Sequence, residues 1–353
     1  PSQGGSRRLK PQPAKTMNAP VPRNLTKADF TSDQTVRWCP GCGDYSILSN
    51  VQKVFPELGV PRENIVFISG IGCSSRFPYY MNTYGMHTIH GRAPAFATGL
   101  KIARPELSLW LVTGDGDGLS IGGNHLFHIL RRNVDVNILL FNNRVYGLTK
   151  GQSSPTSEFG MVTKSTPGGA FDQPVRPVSF ALASGATFVA RALDTDPKGL
   201  QAVFKAAAAH HGTAFVEILQ NCPIFNEGTW DSITERSLRE DRLVRLEAGK
   251  PLVFGKDRNK GIRLRGLKPM VVEFDPEQVP TDLLYHDPED DMYSHIVSQF
   301  DHPDYPVPLG VIHQEERSTH EDTILEREQL QREKRGAGDL KALIRGQQAW
   351  TVN

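Results

Sequence analysis

The four cysteines of this chain fall as one close pair and two isolated residues. They lie in Cys39-Pro40-Gly41-Cys42-Gly43, in Ile71-Gly72-Cys73-Ser74-Ser75, and in Asn221-Cys222-Pro223. Two thiols separated by two residues in a tight turn can face one metal centre, although alone they equally make half a zinc site or a redox dithiol. Four cysteinates suit zinc or an iron-sulfur cluster, and zinc more often uses two close pairs. Buried, unligated thiols are the plain alternative. A second constellation is Gly114-Asp115-Gly116-Asp117-Gly118, set between a strand-like run and a helical pattern. Strand, glycine turn and helix make a phosphate-binding arrangement, because glycine lets the backbone approach an anion and a helix start offers unpaired N–H groups. A carboxylate in that turn would repel bare phosphate, which calls for a divalent cation between them. The next strand-like run ends in Asn142-Asn143, with Asn143 placed 28 positions after Asp115. That is about one strand–helix–strand crossover, so the two side chains can meet at neighbouring strand ends. Magnesium takes few protein oxygens, and Asp115, Asn143 and the carbonyl of Val145 would suit it. The plainer use of these residues is a helix N-cap at Asp115 and a polar turn at Asn142-Asn143.

The elements that must position them can be read from periodicity. Apolar, β-rich runs over 64–69, 107–113, 136–141 and 214–219 alternate with helical patterns near 45–55, 95–103, 120–132 and 198–210. Such alternation predicts an α/β fold with a mainly parallel sheet and helices on both faces. Ligands then bind at the carboxyl ends of the strands, where both constellations lie.

Three segments are expected. Residues 1–30 carry Arg7, Arg8, Lys10, Lys15, Arg23 and Lys27 among prolines with no acid before Asp29, and read as a flexible basic arm. Residues 31–240 form the cofactor- and metal-binding domain. Residues 241–353 are proline- and charge-rich, lack a second βαβ series, and read as an irregular C-terminal extension closing on a solvated helix over 315–335.

Forty basic residues nearly cancel thirty-nine acidic ones, which gives no reason to expect nucleic acid or an acidic membrane as a partner. No apolar run approaches the roughly 20 residues of a membrane span, and the expected location is the cytoplasm. Four cysteines in a chain of 353 residues are too few for a secreted disulfide scaffold.

Gly-Asp-Gly followed at this interval by Asn-Asn, and continued by Tyr146-Gly147-Leu148-Thr149-Lys150-Gly151-Gln152, resembles the diphosphate and magnesium motif of thiamine-diphosphate enzymes. With Cys39–Tyr45, Ile71–Arg76, His90–Arg92 and Gly114–His125, residues 35 to 230 resemble the β subunit of 2-oxoacid:ferredoxin oxidoreductases. The resemblance implies a thiamine-diphosphate-binding fold and a 4Fe-4S cluster on Cys39, Cys42, Cys73 and Cys222. It implies a cofactor site made by Ile71, Gly72, Cys73, Ser74, His90, Gly114, Asp115, Gly116, Asp117, Asn143, Val145, Gly147 and Leu148. Arg76 matches a substrate-contacting basic residue, and a bidentate guanidinium suits the second carboxylate of 2-oxoglutarate rather than pyruvate. His90 matches a position near the cofactor, its bland alternative being a satisfied histidine at a helix start. Leu148 and Lys150 match positions linked to substrate and coenzyme A, and Lys150 is equally a solvated surface charge.

The implied reaction is oxidative decarboxylation of 2-oxoglutarate to succinyl-CoA, with electrons leaving through the cluster to ferredoxin; pyruvate or other 2-oxoacids, and a non-oxidative decarboxylase without a cluster, are the alternatives. Thiamine must be activated by a glutamate normally carried on a second α/β domain, which is not found here. An α (or fused γα) subunit is therefore expected to supply it, in a heterotetrameric dimer of heterodimers.

Overall fold

The computed structural model describes residues 25–350. Thirteen strands are present among them. The first six are β1 (Ile65–Ser69), β2 (Tyr84–His87), β3 (Ser108–Gly114), β4 (Val136–Asn142), β5 (Val145–Tyr146) and β6 (Gln152–Ser153). Then follow β7 (Phe188–Leu193), β8 (Thr213–Leu219), β9 (Leu243–Arg245), β10 (Val253–Phe254), β11 (Lys260–Arg265), β12 (Lys268–Glu273) and β13 (Val307–Gln314).

Eight of these make one sheet in the order β2-β1-β3-β4-β8-β7-β13-β9. The six strands from β2 to β7 run parallel, and β13 joins β7 antiparallel. Both faces of the central strands are covered, which is why they read as unbroken apolar runs. Phe67, Trp110, Val112, Leu139 and Phe141 point to one side, where they pack with Ile47, Val51 and Phe55 of the helix Asp44–Val54 and the turn after it. Ile68, Leu109, Leu111, Ile138 and Leu140 point to the other and meet Leu126, Ile129 and Leu130 of the helix Gly123–Arg132.

Three expectations change. The helix read over 120–132 begins at Gly123, after a separate short turn of helix at Asp115–Leu119. The break is steric and hydrogen-bonded: the Gly122 N–H donates to the Asp117 carbonyl at 3.0 Å, and a Cβ at Gly122 would lie 2.4 Å from that oxygen. The arm expected over residues 1–30 lies outside the described residues up to 24, and its last residues do not project from the body. Lys27–Phe30 form a 3-10 turn with Phe30 fully buried against Phe55, because one large aromatic outweighs the polar composition around it. The stretch beyond 240 is not wholly irregular. β9 and β13 complete the main sheet, and β10–β12 form an antiparallel sheet of their own. The charged helix is His320–Arg335, capped by the Thr319 hydroxyl, which accepts from the Asp322 N–H. No described helix is long and apolar enough to cross a membrane.

Candidate active site

The carboxyl ends of β1, β3, β4 and β8 lie side by side. Their outgoing segments are Gly70–Ser74, Asp115–Gly118, Asn143–Gly147 and Gln220–Cys222 respectively. Both constellations therefore meet at one edge of the sheet. A cavity of about 260 Å³ opens there. Its walls include Ile71, Gly72, Cys73 and Ser74 after β1, and Gly114, Asp115, Gly116 and Asp117 after β3. Asn143, Val145, Gly147 and Leu148 form the side after β4, and His90 reaches in from the loop before the helix Ala93–Ala103.

Asp115 is 2% exposed, and burial pushes its carboxyl up to about 6 while hydroxyl donors pull the other way. Its Oδ2 accepts from the hydroxyls of Ser154 and Thr156, the latter at 2.6 Å. A buried carboxylate held on one oxygen is suited to present the other to a cation, which would also offset the cost of burial. Asp117 is a brace: its Oδ1 accepts from the Gly91 N–H at 2.8 Å and its Oδ2 from the Thr113 hydroxyl at 2.9 Å. It ties the glycine turn to the His90–Arg92 loop. Backbone approach is bought by missing side chains, since a Cβ at Gly116 would lie 2.3 Å from the Tyr146 ring.

Asn143 accepts from the Val145 N–H at its own Oδ1, 3.2 Å away, and donates through Nδ2 to Gln220 at 2.9 Å. Between them Arg144 adopts φ +57°, and its guanidinium sits 3.8 Å over the Trp230 ring. The stack holds a turn that a non-glycine residue enters at a cost, and so fixes where Asn143 and Val145 point.

All four cysteines are free thiols. The Cys39–Gly43 turn docks on the segment before Cys222 through the Gly43 N–H, which donates to the Asn221 carbonyl at 3.2 Å. A Cβ at Gly147 would lie 3.5 Å from the Cys73 sulfur and 3.7 Å from that of Cys222. Those two sulfurs thus flank a residue that lines the cavity. Burial pushes the Cys73 thiol up to about 12 and raises that of Cys42 further, and the buried Asp44 carboxyl beside them adds to both shifts. Thiolates here need a cationic partner, which iron would supply. Among the described residues no three His, Cys, Asp or Glu side chains close on a single ion. A magnesium ion held by Asp115 with the Asn143 amide and the Val145 carbonyl would draw on only one such side chain.

Arg76 and Lys150 are not walls of this cavity. Arg76 is exposed on the 3-10 turn Ser74–Arg76, close enough to Cys73 to favour its thiolate, and Lys150 is exposed at φ +79° beyond Leu148. Ser154, Thr156 and Gln220 were not singled out from the sequence, and Asp44 and Tyr146 stand in its quoted motif runs without a role of their own. Only the cluster of hydroxyls in Ser153-Ser154-Pro155-Thr156-Ser157, just after the glycine-rich run, gave a signal for two of them.

Residues 70–218 match the family described as thiamine pyrophosphate enzyme, C-terminal TPP binding domain. The chain is 52% identical to 2-oxoglutarate oxidoreductase subunit KorB of Mycobacterium tuberculosis, over 97% of this chain and 93% of that one. This chain belongs to the 2-oxoacid:ferredoxin oxidoreductase β-subunit family. A second relative in the family, subunit beta of 2-oxoacid:ferredoxin oxidoreductase 1 of Aeropyrum pernix, is 40% identical over 77% of this chain and 84% of its own length. The fold agrees with family membership. A solved 2-oxoglutarate:ferredoxin oxidoreductase from Magnetococcus marinus, with 2-oxoglutarate, coenzyme A and succinyl-CoA bound, superposes with a TM-score of 0.72. It is 35% identical and covers 91% of this chain and 95% of its own.

Proposed function

We propose that this 2-oxoacid:ferredoxin oxidoreductase β subunit carries the site at which 2-oxoglutarate is oxidatively decarboxylated to succinyl-CoA and carbon dioxide, with two electrons passed singly through a 4Fe-4S cluster to ferredoxin. The observation that carries the reading is the sharing of Cys73: it lines the phosphate-and-cation cavity, and its sulfur and that of Cys222 flank Gly147 in the cavity wall. Bound there, thiamine diphosphate supplies a nucleophilic carbon for the keto group and an iron-sulfur centre supplies a one-electron acceptor.

The chain's own residues do the rest. Asp115, Asn143 and the Val145 carbonyl hold magnesium, and the glycine turn at 114–118 brings backbone N–H groups to the diphosphate. Cys39, Cys42, Cys73 and Cys222 hold the cluster. Ile71, Gly72, Ser74, Gly147 and Leu148 shape the wall against the thiamine. His90 reaches the cofactor from the opposite loop. Arg76, exposed beside Cys73, takes the distal carboxylate of the substrate, and Lys150 meets coenzyme A at the mouth.

The activating glutamate is assigned to an α or fused γα subunit, in a dimer of heterodimers. A partner would cover apolar side chains that ring the site, since Ile89, Phe96 and Ile121 are each more than half exposed there.

The test is an anaerobic assay of the co-purified complex with coenzyme A, ferredoxin and either 2-oxoglutarate or pyruvate. Ferredoxin reduction that is faster with 2-oxoglutarate is the expected result. Equal or greater use of pyruvate overturns the substrate assignment, and decarboxylation without ferredoxin reduction overturns the oxidoreductase.

A further inference from the structure

We infer that Gln220 is a positioning residue shared by the two centres, fixed in orientation by Asn143 and donating a hydrogen bond to the Cys42 sulfur that raises the reduction potential of the cluster. The inference rests on the magnesium and cluster assignments proposed above.

The orientation of the Gln220 amide follows from a short chain of donors. The Val145 N–H can only donate, so the Asn143 atom that receives it at 3.2 Å is the oxygen. This leaves the Asn143 amino group to face Gln220, where it donates to Oε1 at 2.9 Å. The Gln220 amino group then faces the opposite way. Its two hydrogens have two acceptors, the Asn221 carbonyl and the Cys42 Sγ, the latter at 3.4 Å. Turned round, the amide would set an amino group against an amino group and an oxygen against a carbonyl and a sulfur. All three contacts would be lost.

Gln220 is also held at its backbone. Its N–H donates to the Asn142 carbonyl at 3.0 Å, and its carbonyl accepts from the Trp230 indole at 3.2 Å. It is 1% exposed, so water does not replace the donor. Gly43 makes the contact possible, since a Cβ there would lie 2.9 Å from Gln220 Cγ and 2.0 Å from Asp194 Oδ2.

A donor aimed at a ligand sulfur stabilises the more electron-rich state of a cluster, and hydrogen bonds to the sulfurs are one of the means by which proteins set its potential. Here the donor is the last member of a chain that begins on the side chain assigned to magnesium, and linked hydrogen bonds polarise one another. Removing the donor makes the cluster harder to reduce.

The experiment compares wild type with Gln220→Met, which keeps the volume without a donor, and Gln220→Glu, which keeps an acceptor toward Asn143 without a donor toward Cys42. Each co-purified complex is prepared anaerobically, its iron and sulfide are counted, and its midpoint potential is read by EPR-monitored redox titration. At equal cluster content, both variants are expected to shift the one-electron reduction equilibrium about tenfold toward the oxidised form, about 59 mV. Equal potentials overturn the inference. Absence of a cluster from wild type overturns the cluster assignment itself, which is a separate outcome. A measurement that needs no variant is pulsed EPR of the reduced wild-type complex labelled with 15N at glutamine side chains. A weak nitrogen coupling to the cluster is expected, and its absence also overturns the inference.

Discussion

The Thr156 hydroxyl donates to the Asp115 carboxylate at 2.6 Å, although 41 positions separate the two residues. Ser154 donates to the same oxygen. Hydrogen bonds to a charged acceptor contribute about 1.5–3 kcal/mol each. Thr156→Val should therefore raise the magnesium concentration for half-maximal thiamine diphosphate binding at least tenfold, and Thr156→Ser should restore it. Calorimetric titration of the cofactor at several magnesium concentrations reads this directly. An unchanged magnesium dependence would separate Thr156 from the cation site.

Arg76 is exposed on the turn after Cys73, outside the cavity wall. If it takes the distal carboxylate of 2-oxoglutarate, Arg76→Ala raises the KM for that substrate about tenfold or more and leaves pyruvate, which has no second carboxylate, nearly unaffected. The ratio of kcat/KM for the two acids is the measurement. No change in the ratio removes Arg76 from specificity.

Inside the sheet, Arg191 on β7 pairs with Glu217 on β8 at 2.7 Å, and Glu217 also accepts from Asn142 at 2.8 Å. Both ends of the ion pair are buried. Removing one partner strands the other charge, so Glu217→Ala should cost about 3–5 kcal/mol, whereas replacing both with apolar residues of similar volume should cost less. Urea unfolding of the single variant and of Arg191→Met with Glu217→Leu distinguishes the two. A double variant as unstable as the single one contradicts the account.

His210 is half-buried against Thr187, whose hydroxyl lies 2.8 Å from Nε2, and burial pushes its imidazole down to about 4. The unfolded chain binds a proton there near pH 6.5. The folded chain resists until about pH 4, so this contribution to stability is intact above pH 6.5 and is lost as pH falls toward 4. Between pH 7.5 and 5.0 wild type should lose about 1 kcal/mol more than His210→Gln, after allowance for partial solvent screening. The urea midpoints of both proteins at the two values test this, and parallel losses would refute it.

The parts of the fold legible in the sequence were those whose environment leaves a periodic trace. β1, β4 and β8 are buried throughout and β3 at all but its two end residues, and all four fall within about one residue of the runs read for them. β7 was not read, because Arg191 interrupts its apolar run and is tolerated only opposite Glu217. β13 contains Pro308 and Gly310, and β2 is exposed at every position, so neither carries a strand pattern. At the site, the glycine turns and cysteines are rare enough in type and spacing to be singled out. Ser154, Thr156 and Gln220 are common residues whose role comes from partners far along the chain. Only the folded arrangement shows them as parts of one polar network.

The position of β8 between β4 and β7 has a consequence for biosynthesis. β4 ends at Asn142 and β8 begins at Thr213, so the 70 residues 143–212 are translated between them. At about 5–20 residues per second, a nascent chain spends roughly 4–14 s with Asp115 and Asn143 already synthesised and the hydrogen-bonding edge of β4 still open. That strand is buried at every position in the finished protein and mostly apolar, the kind of strand that recruits other chains when unpaired. The strand that later covers this edge and leads into Gln220 and Cys222 thus also ends that exposure on the ribosome.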